Sequence, residues 1–193
     1  MITKIISGGQ TGADMAALDF AIKYNIPYGG WVPKGRRTED GILPEKYQLQ
    51  EMPTDEYSKR TERNVLDSDA TLILSHASLT GGSALTQSLA EKHGKPCIHI
   101  DLSKVGMRKA GLITNIWIHR YKIKVLNIAG PKASKDPKIY QATFELLEVL
   151  FTKEKGVDIP SSGNKGINHL STRRDHHGKE DSGIVGKSEK KRQ

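Results

Sequence analysis

Residues 7–14 read Ser-Gly-Gly-Gln-Thr-Gly-Ala-Asp and lie between an apolar run, residues 2–6, and an amphipathic stretch. This order predicts a strand, a glycine-rich turn and a helix. The first N–H groups of a helix have no acceptor within it, and glycines let an anion approach the backbone there. The spacing fits neither the dinucleotide fingerprint nor the P-loop, because no Lys-Ser/Thr pair follows the last glycine. The stretch therefore predicts an anion-binding turn without specifying the anion.

Apolar runs alternate with helical patterns along the chain. The runs that predict strands are residues 2–7, 28–32, 70–74, 96–100 and 125–129. Helical spacing predicts helices within residues 15–25, 57–65, 81–93, 112–120 and 137–151. Asp136 is the predicted cap of the last helix, and its predicted inner face carries Tyr140, Phe144, Leu147 and Phe151. Because the strands are apolar throughout, the predicted fold class is α/β: a single Rossmann-like three-layer domain with a mostly parallel sheet of about five strands.

The C-terminal segment differs in composition from the rest of the chain. Residues 156–193 contain no aromatic side chain and are rich in Gly, Ser, His, Lys and Arg. Such a segment buries too little apolar surface to offset its ordering entropy, so we predict a ligand-binding domain over residues 1–155 and a disordered basic tail over residues 156–193. The tail contributes +3 to the net charge of +8, and residues 1–155 contribute the other +5. A non-specific attraction of the tail to nucleic acid is one hypothesis, but no specific nucleic-acid reader is predicted.

The chain has a single cysteine, which limits the disulfides and metal sites that it can form. Cys97 excludes an intramolecular disulfide and Cys-rich metal sites, and its apolar surroundings predict a core position. The histidines show no metal-ligand spacing, so no metal site is predicted. No window has the length of a membrane span, and the N-terminus lacks a leader pattern. We expect a cytoplasmic protein without a membrane partner.

Three predicted strand-to-helix turns share one chemistry. In a parallel sheet they lie at the carboxyl edge, where open α/β folds bind ligands. Small and hydroxyl residues there offer donors to an anion, although tight packing of strand against helix explains glycines equally. The predicted partner is a phosphorylated small molecule, and the predicted cofactor-binding residues are Gly8, Gly9, Gln10, Thr11, Gly12 and Asp14 in the first turn, Ser75, Thr80, Gly81, Gly82 and Ser83 in the second, and Gly130, Pro131, Lys132 and Ser134 in the third.

A long polar stretch, residues 33–55, follows the second predicted strand. It contains Lys34, Arg36 and Arg37, which are predicted to neutralise a phosphate; alternatively, they form a solvated loop and pair with Glu39 and Asp40. Asp14 itself has three possible roles: stabilising a helix dipole, binding a ligand hydroxyl or holding a metal ion.

Several motifs in combination carry a family resemblance that covers residues 3–151. The chain resembles the family named "putative molybdenum carrier proteins", a circularly permuted, YpsA-like branch of the SLOG superfamily. The motifs are Gly-Gly-Gln-Thr-Gly-Ala-Asp at residues 8–14, Gly-Trp-Val-Pro-Lys-Gly-Arg-Arg at 30–37, Arg-Thr-Glu-Arg-Asn-Val at 60–65, Thr-Gly-Gly-Ser-Ala-Leu-Thr at 80–86, Lys-His-Gly-Lys-Pro at 92–96 and Leu-Asn-Ile-Ala-Gly-Pro at 126–131. The resemblance implies a Rossmann-like fold and a homo-oligomer. It also implies one of two ligands: the molybdenum cofactor, which is a pterin phosphate, or a nucleotide.

The superfamily also contains phosphoribohydrolases with the motif P-G-G-x-G-T-x-x-E. Aligned on Gly81 and Gly82, the glutamate of that motif falls on Ser88 and its threonine on Leu85. A hydroxyl cannot replace a carboxylate in acid–base catalysis. We therefore expect binding without bond cleavage. The alternative is a nucleotide-processing hydrolase of the phosphoribohydrolase type, which cleaves an N-glycosidic or phosphate bond with Asp14 or Glu39 as the acid–base group.

Overall fold

The computed structural model of the protein describes residues 2–154, with side chains up to Phe151. The predicted tail of residues 156–193 lies outside the described residues. Within them the order of elements is β1 (Lys4–Ile6), α1 (Ala13–Lys23), β2 (Tyr28–Gly29), β3 (Trp31–Val32), β4 (Arg37–Thr38), β5 (Gly41–Ile42), β6 (Gln50–Glu51), α2 (Tyr57–Leu66), β7 (Ala70–Ser75), α3 (Gly81–Lys92), β8 (Cys97–Asp101), α4 (Met107–Arg120), β9 (Val125–Ala129) and α5 (Ile139–Glu154).

Five strands form the main sheet in the order β2-β1-β9-β7-β8, and every neighbouring pair is parallel. The last strand in the chain thus lies at the centre, where Leu126 pairs with Ile5 on one side and with Ala70 on the other. All six residues of β7 are buried, as expected for a strand covered on both faces. The predicted parallel α/β sheet is confirmed.

Helices cover both faces of this sheet. On one face α1, α4 and α5 pack together, and Phe20 of α1 contacts the rings of Phe144 and Phe151 of α5. On the other face α2 packs against α3, with Val65 and Leu89 in a smaller apolar cluster. The free thiol of Cys97 borders that cluster, and burial raises its pKa to about 11. The three-layer architecture is therefore confirmed.

The predicted second strand is wrong as a single element. Its residues divide between two sheets: Tyr28–Gly29 joins the main sheet, whereas Trp31–Val32 pairs with Gln50–Glu51. The chain turns between them at Gly30, which has φ +133°, and a Cβ there would lie 2.1 Å from the carbonyl oxygen of Ser7. The polar stretch that follows contains the isolated hairpin β4–β5.

Two helix starts also differ from prediction. α4 begins at Met107, earlier than predicted, with Gly106 as its N-cap, although Gly111 lowers the helical propensity of its first turns. Gly111 is required by packing, because a Cβ would lie 2.6 Å from the side chain of Val149 on α5. α5 begins at Ile139, two residues after Pro137. Its fully buried face includes Leu146 and Leu147, while Tyr140, Phe144 and Phe151 of the predicted inner face are only partly buried. No described helix has the length and apolar character needed to cross a bilayer.

Candidate functional site

The three predicted turns follow β1, β9 and β7, which are adjacent in the sheet. Their carboxyl ends border a cavity of about 1200 Å³. Ten of the predicted residues line it, namely Gln10, Asp14, Ser75, Thr80, Gly81, Gly82, Ser83, Gly130, Pro131 and Lys132. Gly8, Gly9, Thr11, Gly12, Lys34, Arg36, Arg37 and Ser134 are not among its lining residues. The topology thus brings all three turns to one cavity, but not every residue of each turn.

The glycines of the first turn contact the protein itself. A Cβ at Gly12 would lie 2.5 Å from the carbonyl oxygen of Pro131, and one at Gly8 would lie 1.6 Å from Nη1 of Arg60. The Cβ position of Gly130 is similarly blocked, at 2.6 Å from the carbonyl oxygen of Leu74. Tight packing therefore accounts for these glycines without any ligand.

The second turn is different because it is open. A Cβ at Gly81 or Gly82 would have no heavy atom within 4 Å among the atoms of the described chain. The first turn of α3 contains no acidic residue, and the side chain of Thr80 makes no capping hydrogen bond. Ser83 is only 7% exposed, yet its hydroxyl has no hydrogen-bond partner among residues 2–151. This turn therefore presents free donors to the cavity.

A carboxylate already occupies the donors of the other two turns. Glu39, at the tip of the β4–β5 hairpin, accepts hydrogen bonds from the hydroxyls of Thr11 and Ser134. It also accepts one from the backbone N–H of Ser134 at 3.0 Å and pairs with Nζ of Lys132 at 2.9 Å. Burial acts to raise the pKa of Glu39, but these donors outweigh it and hold the pKa at about 2.

Asp14 lies beneath the same edge of the sheet. Its carboxylate accepts a hydrogen bond from the backbone N–H of Gln10 and lies 3.6 Å from Nη1 of Arg60. Burial raises the pKa of Asp14 to about 6, against the opposing effect of Arg60 and the backbone donors. The Nε of Arg60 is buried and has no hydrogen-bond partner in the described part of the chain. Asp14 can therefore exchange a proton close to neutral pH.

A histidine and an aspartate are paired in the cavity wall. Nδ1 of His76 lies 2.9 Å from Oδ2 of Asp136, and the backbone N–H of His76 donates to the same oxygen. Neighbouring Ser75 donates to the carbonyl oxygen of Ala77, so its contact with Nε2 of His99 requires the ring to be the donor. The geometry does not activate Ser75 as a nucleophile.

The basic side chains of the predicted loop, Lys34, Arg36 and Arg37, do not line the cavity, although Thr38 and Glu39 of the same loop do. The guanidinium of Arg36 donates to the carbonyl oxygens of Leu43, Pro44, Tyr47 and Leu49. It holds residues 36–50 together and does not pair with Glu39, so phosphate binding by Arg36 stays a prediction. Its donors are taken because the polar stretch folds back over it, which spacing along the chain does not reveal.

A family model described as the circularly permutated YpsA SLOG family matches residues 5–151. The chain belongs to this family. The YpsA SLOG match spans both the sheet and the three turns, and it confirms the resemblance drawn from the motifs.

One solved structure extends this assignment. The chain is 67% identical to a protein from Syntrophus aciditrophicus SB whose structure is named "putative molybdenum carrier protein". The alignment covers 78% of this chain and 95% of that one, with a TM-score of 0.77. No match was found among curated proteins.

Sequence reasoning missed parts of this YpsA SLOG site. Asp136 was predicted only as a helix cap, although its position just after the third turn places it near the end of β7 in the folded chain. Tyr57, Lys135 and Lys138 also line the cavity and were not predicted. Arg60 and Thr61, which belong to the motif at residues 60–65, also line the cavity. Asn64 instead hydrogen-bonds the backbone of Trp31.

Proposed function

We propose that this protein binds a phosphorylated, nucleotide-like small molecule in the cavity, with the phosphate at the N-terminus of α3. One observation carries the proposal: Ser83 is buried, lines the cavity and has no hydrogen-bond partner within residues 2–151. Besides the Ser83 hydroxyl, the backbone N–H groups of the first turn of α3 and the positive end of its helix dipole would stabilise a bound phosphate. Gly81 and Gly82 leave room for a phosphate to approach the backbone.

The molybdenum cofactor is the first candidate ligand. It is suggested by the name of the Syntrophus aciditrophicus protein, and as a pterin phosphate it carries the group that the α3 turn suits. The cavity volume of about 1200 Å³ is sufficient, since small-molecule sites span roughly 300–1,000 Å³. Across the described residues, no group of three His, Cys, Asp or Glu side chains could hold a bare metal ion. A simple nucleotide is the second candidate.

A hydrolase is the alternative function, and Asp14 is the observation that favours it. A buried carboxylic acid with a pKa of about 6 in a cavity wall is suited to general acid–base catalysis. The reaction would be hydrolysis of an N-glycosidic or phosphate bond of a nucleotide. The residue aligned with the glutamate of the phosphoribohydrolase motif argues against hydrolysis. That residue is Ser88, which is exposed and does not line the cavity. Glu39 is ionised and held by four donors, so it is a poor proton donor.

Self-association and a cytoplasmic location are also proposed. Leu112 and Ile116 of α4 and Tyr121 at its C-terminal end are each exposed by half or more, and a second copy of the chain is the proposed partner of this face. Native mass spectrometry of freshly purified protein tests both the subunit count and the presence of a co-purified ligand. A monomer at micromolar concentration contradicts the self-association.

The binding proposal is tested by comparing Ser83→Ala with Ser88→Ala on the same helix. Calorimetric titration with the molybdenum cofactor, AMP and ADP-ribose should show that Ser83→Ala weakens binding roughly tenfold, the effect of losing one hydrogen bond to a charged group. Ser88→Ala should bind like the wild type. Equal affinities of the two variants, or no binding of any of these ligands at millimolar concentration, would overturn the proposal. Turnover of a nucleotide panel by wild type, lost in Asp14→Asn, would favour the hydrolase instead.

A further inference from the structure

The β4–β5 hairpin is anchored at its base and at its tip, and the hydroxyl of Tyr57 also donates to the carbonyl oxygen of Arg37 in β4. At its base the guanidinium of Arg36 holds four carbonyl oxygens. At its tip the connections to the rest of the described chain come from Glu39, through its carboxylate and through its N–H group to Oε1 of Gln10. Among the described strands these two pair only with each other, and an isolated two-stranded hairpin is marginally stable. The position of the tip therefore depends on Glu39.

The donors around Glu39 are those that an oxyanion needs. They comprise one ammonium group from Lys132, one backbone N–H from Ser134 and the hydroxyls of Thr11 and Ser134. Such charge-assisted donors bind carboxylate and phosphate alike. Glu39 and Lys132 line the cavity, whereas Thr11 and Ser134 do not. A ligand in the cavity therefore meets Lys132 directly and reaches the other donors only where the Glu39 carboxylate has left them.

The Glu39 carboxylate, which occupies these donors, is negatively charged throughout the physiological pH range. Because these donors hold the pKa of Glu39 at about 2, the carboxylate does not leave by becoming protonated. If the Glu39 carboxylate leaves, another anion has to accept hydrogen bonds from the same donors in its place. Within residues 2–151 the tip also has no apolar anchor, since Gly41 and Ile42 of β5 are exposed, and Ile42 is 76% exposed.

We propose that Thr11, Lys132 and Ser134 form a second anion subsite whose occupant exchanges between the Glu39 carboxylate and an oxyanion of the ligand. The ligand class is a phosphate ester or another tetrahedral oxyanion. Displacement of Glu39 frees the hairpin tip, while the base stays fixed by Arg36. This inference rests on the proposed function in one respect, namely that the cavity is the ligand site. The donors of Thr11, Lys132 and Ser134 are separate from the α3 turn.

The experiment uses inorganic phosphate as the probe and compares Glu39→Ala with Glu45→Ala. Glu45 is an exposed carboxylate in the same loop and serves as the matched control. A tethered carboxylate acts as a competitor at high effective concentration, so Glu39→Ala should bind phosphate roughly tenfold tighter than wild type. Glu45→Ala should bind like wild type. Adding Ser134→Ala to Glu39→Ala should abolish the gain.

Two results overturn the proposal. One is that Glu39→Ala binds phosphate no more tightly than wild type, and the other is that the gain survives Ser134→Ala. If Glu39→Ala does not fold, Glu39→Gln keeps the shape and removes the charge, and the same gain in affinity is required of it.

Displacement of the Glu39 carboxylate by phosphate in the wild-type protein is measured by the rate of trypsin cleavage after Arg37, in the hairpin. The cleavage rate should rise with phosphate concentration in wild type and be independent of phosphate in Glu39→Ala. A wild-type rate unaffected by phosphate overturns the exchange. These readouts do not involve Ser83, so failure of this inference is distinguishable from failure of the proposed function.

Discussion

The Arg60 guanidinium lies across the Asp14 carboxylate, with 3.6 Å between Nη1 and Oδ2. The two side chains are 12% and 8% exposed, so both charges are largely removed from water. A buried pair with only one close contact gains little against the cost of desolvation. This explains why the pKa of Asp14 is raised even though a cation lies beside it.

We predict that stability falls as Asp14 ionises. Its pKa in the folded protein, about 6, exceeds the ordinary value of 3.8, so the folded state holds the proton more tightly than the unfolded chain. The free energy of unfolding should therefore decrease between about pH 4 and pH 6, by up to about 3 kcal/mol from this group. Urea denaturation across this range should show the decrease in wild type. Asp14→Asn should lack this part of the slope, and equal slopes in the two proteins would contradict the assignment.

Two glycine substitutions should separate packing from ligand approach. Gly12→Ala places a Cβ 2.5 Å from the carbonyl oxygen of Pro131 at a residue with φ +76°, and should cost about 2 kcal/mol or more. Gly82→Ala meets open space and should change stability by no more than about 0.5 kcal/mol. Chemical denaturation measures both. A similar loss in the two variants would show that the α3 turn is not open.

Arg36 and Arg37 are adjacent arginines with different surroundings. Arg36→Ala removes a side chain that donates to four carbonyl oxygens and should destabilise the protein by about 2 kcal/mol or more. Arg37 is exposed, and its side chain has no hydrogen bond to residues 2–151, so Arg37→Ala should stay within about 0.5 kcal/mol of wild type. Thermal or urea unfolding distinguishes them. Equal effects would mean that Arg36 does not anchor the loop.

The Asp136 carboxylate should fix the tautomer of His76. Because a carboxylate accepts but does not donate, Nδ1 of His76 must carry the proton in their 2.9 Å contact. Nitrogen chemical shifts of the ring should report this tautomer at alkaline pH. Asp136→Asn should relax the preference and cost about 1 to 3 kcal/mol, since the same carboxylate also accepts from the backbone N–H of His76. An unchanged tautomer in Asp136→Asn contradicts the pairing.

The strands were predictable because each central one is a continuous apolar run. Ala70–Ser75 and Val125–Ala129 can be read from the sequence as buried strands. Their order in the sheet could not be read in the same way. Nothing local in Val125–Ala129 distinguishes a central strand from an edge strand, because pairing depends on which neighbours remain available.

The candidate site was predicted in outline and not in detail. A glycine-rich turn has the same sequence whether its glycines admit a ligand or a neighbouring side chain. Gly12 packs against Pro131, whereas Gly82 meets open space, and only the folded chain separates the two cases. The role of Glu39 was hidden for a related reason. It lies in a polar stretch whose path is set by the carbonyl contacts of Arg36, and these contacts leave no periodic pattern in the sequence.

The central place of β9 has a consequence for folding order. In the main sheet β1 pairs with β2, β7 pairs with β8, and β9 joins these two pairs through contacts such as Lys4 with Val125. Without residues 125–129, the only pairings of the main sheet that a nascent chain can make are β1 with β2 and β7 with β8. Completion of the sheet therefore awaits late synthesis and the closure of a long loop, which slows folding. The cavity edge is assembled at that same late step.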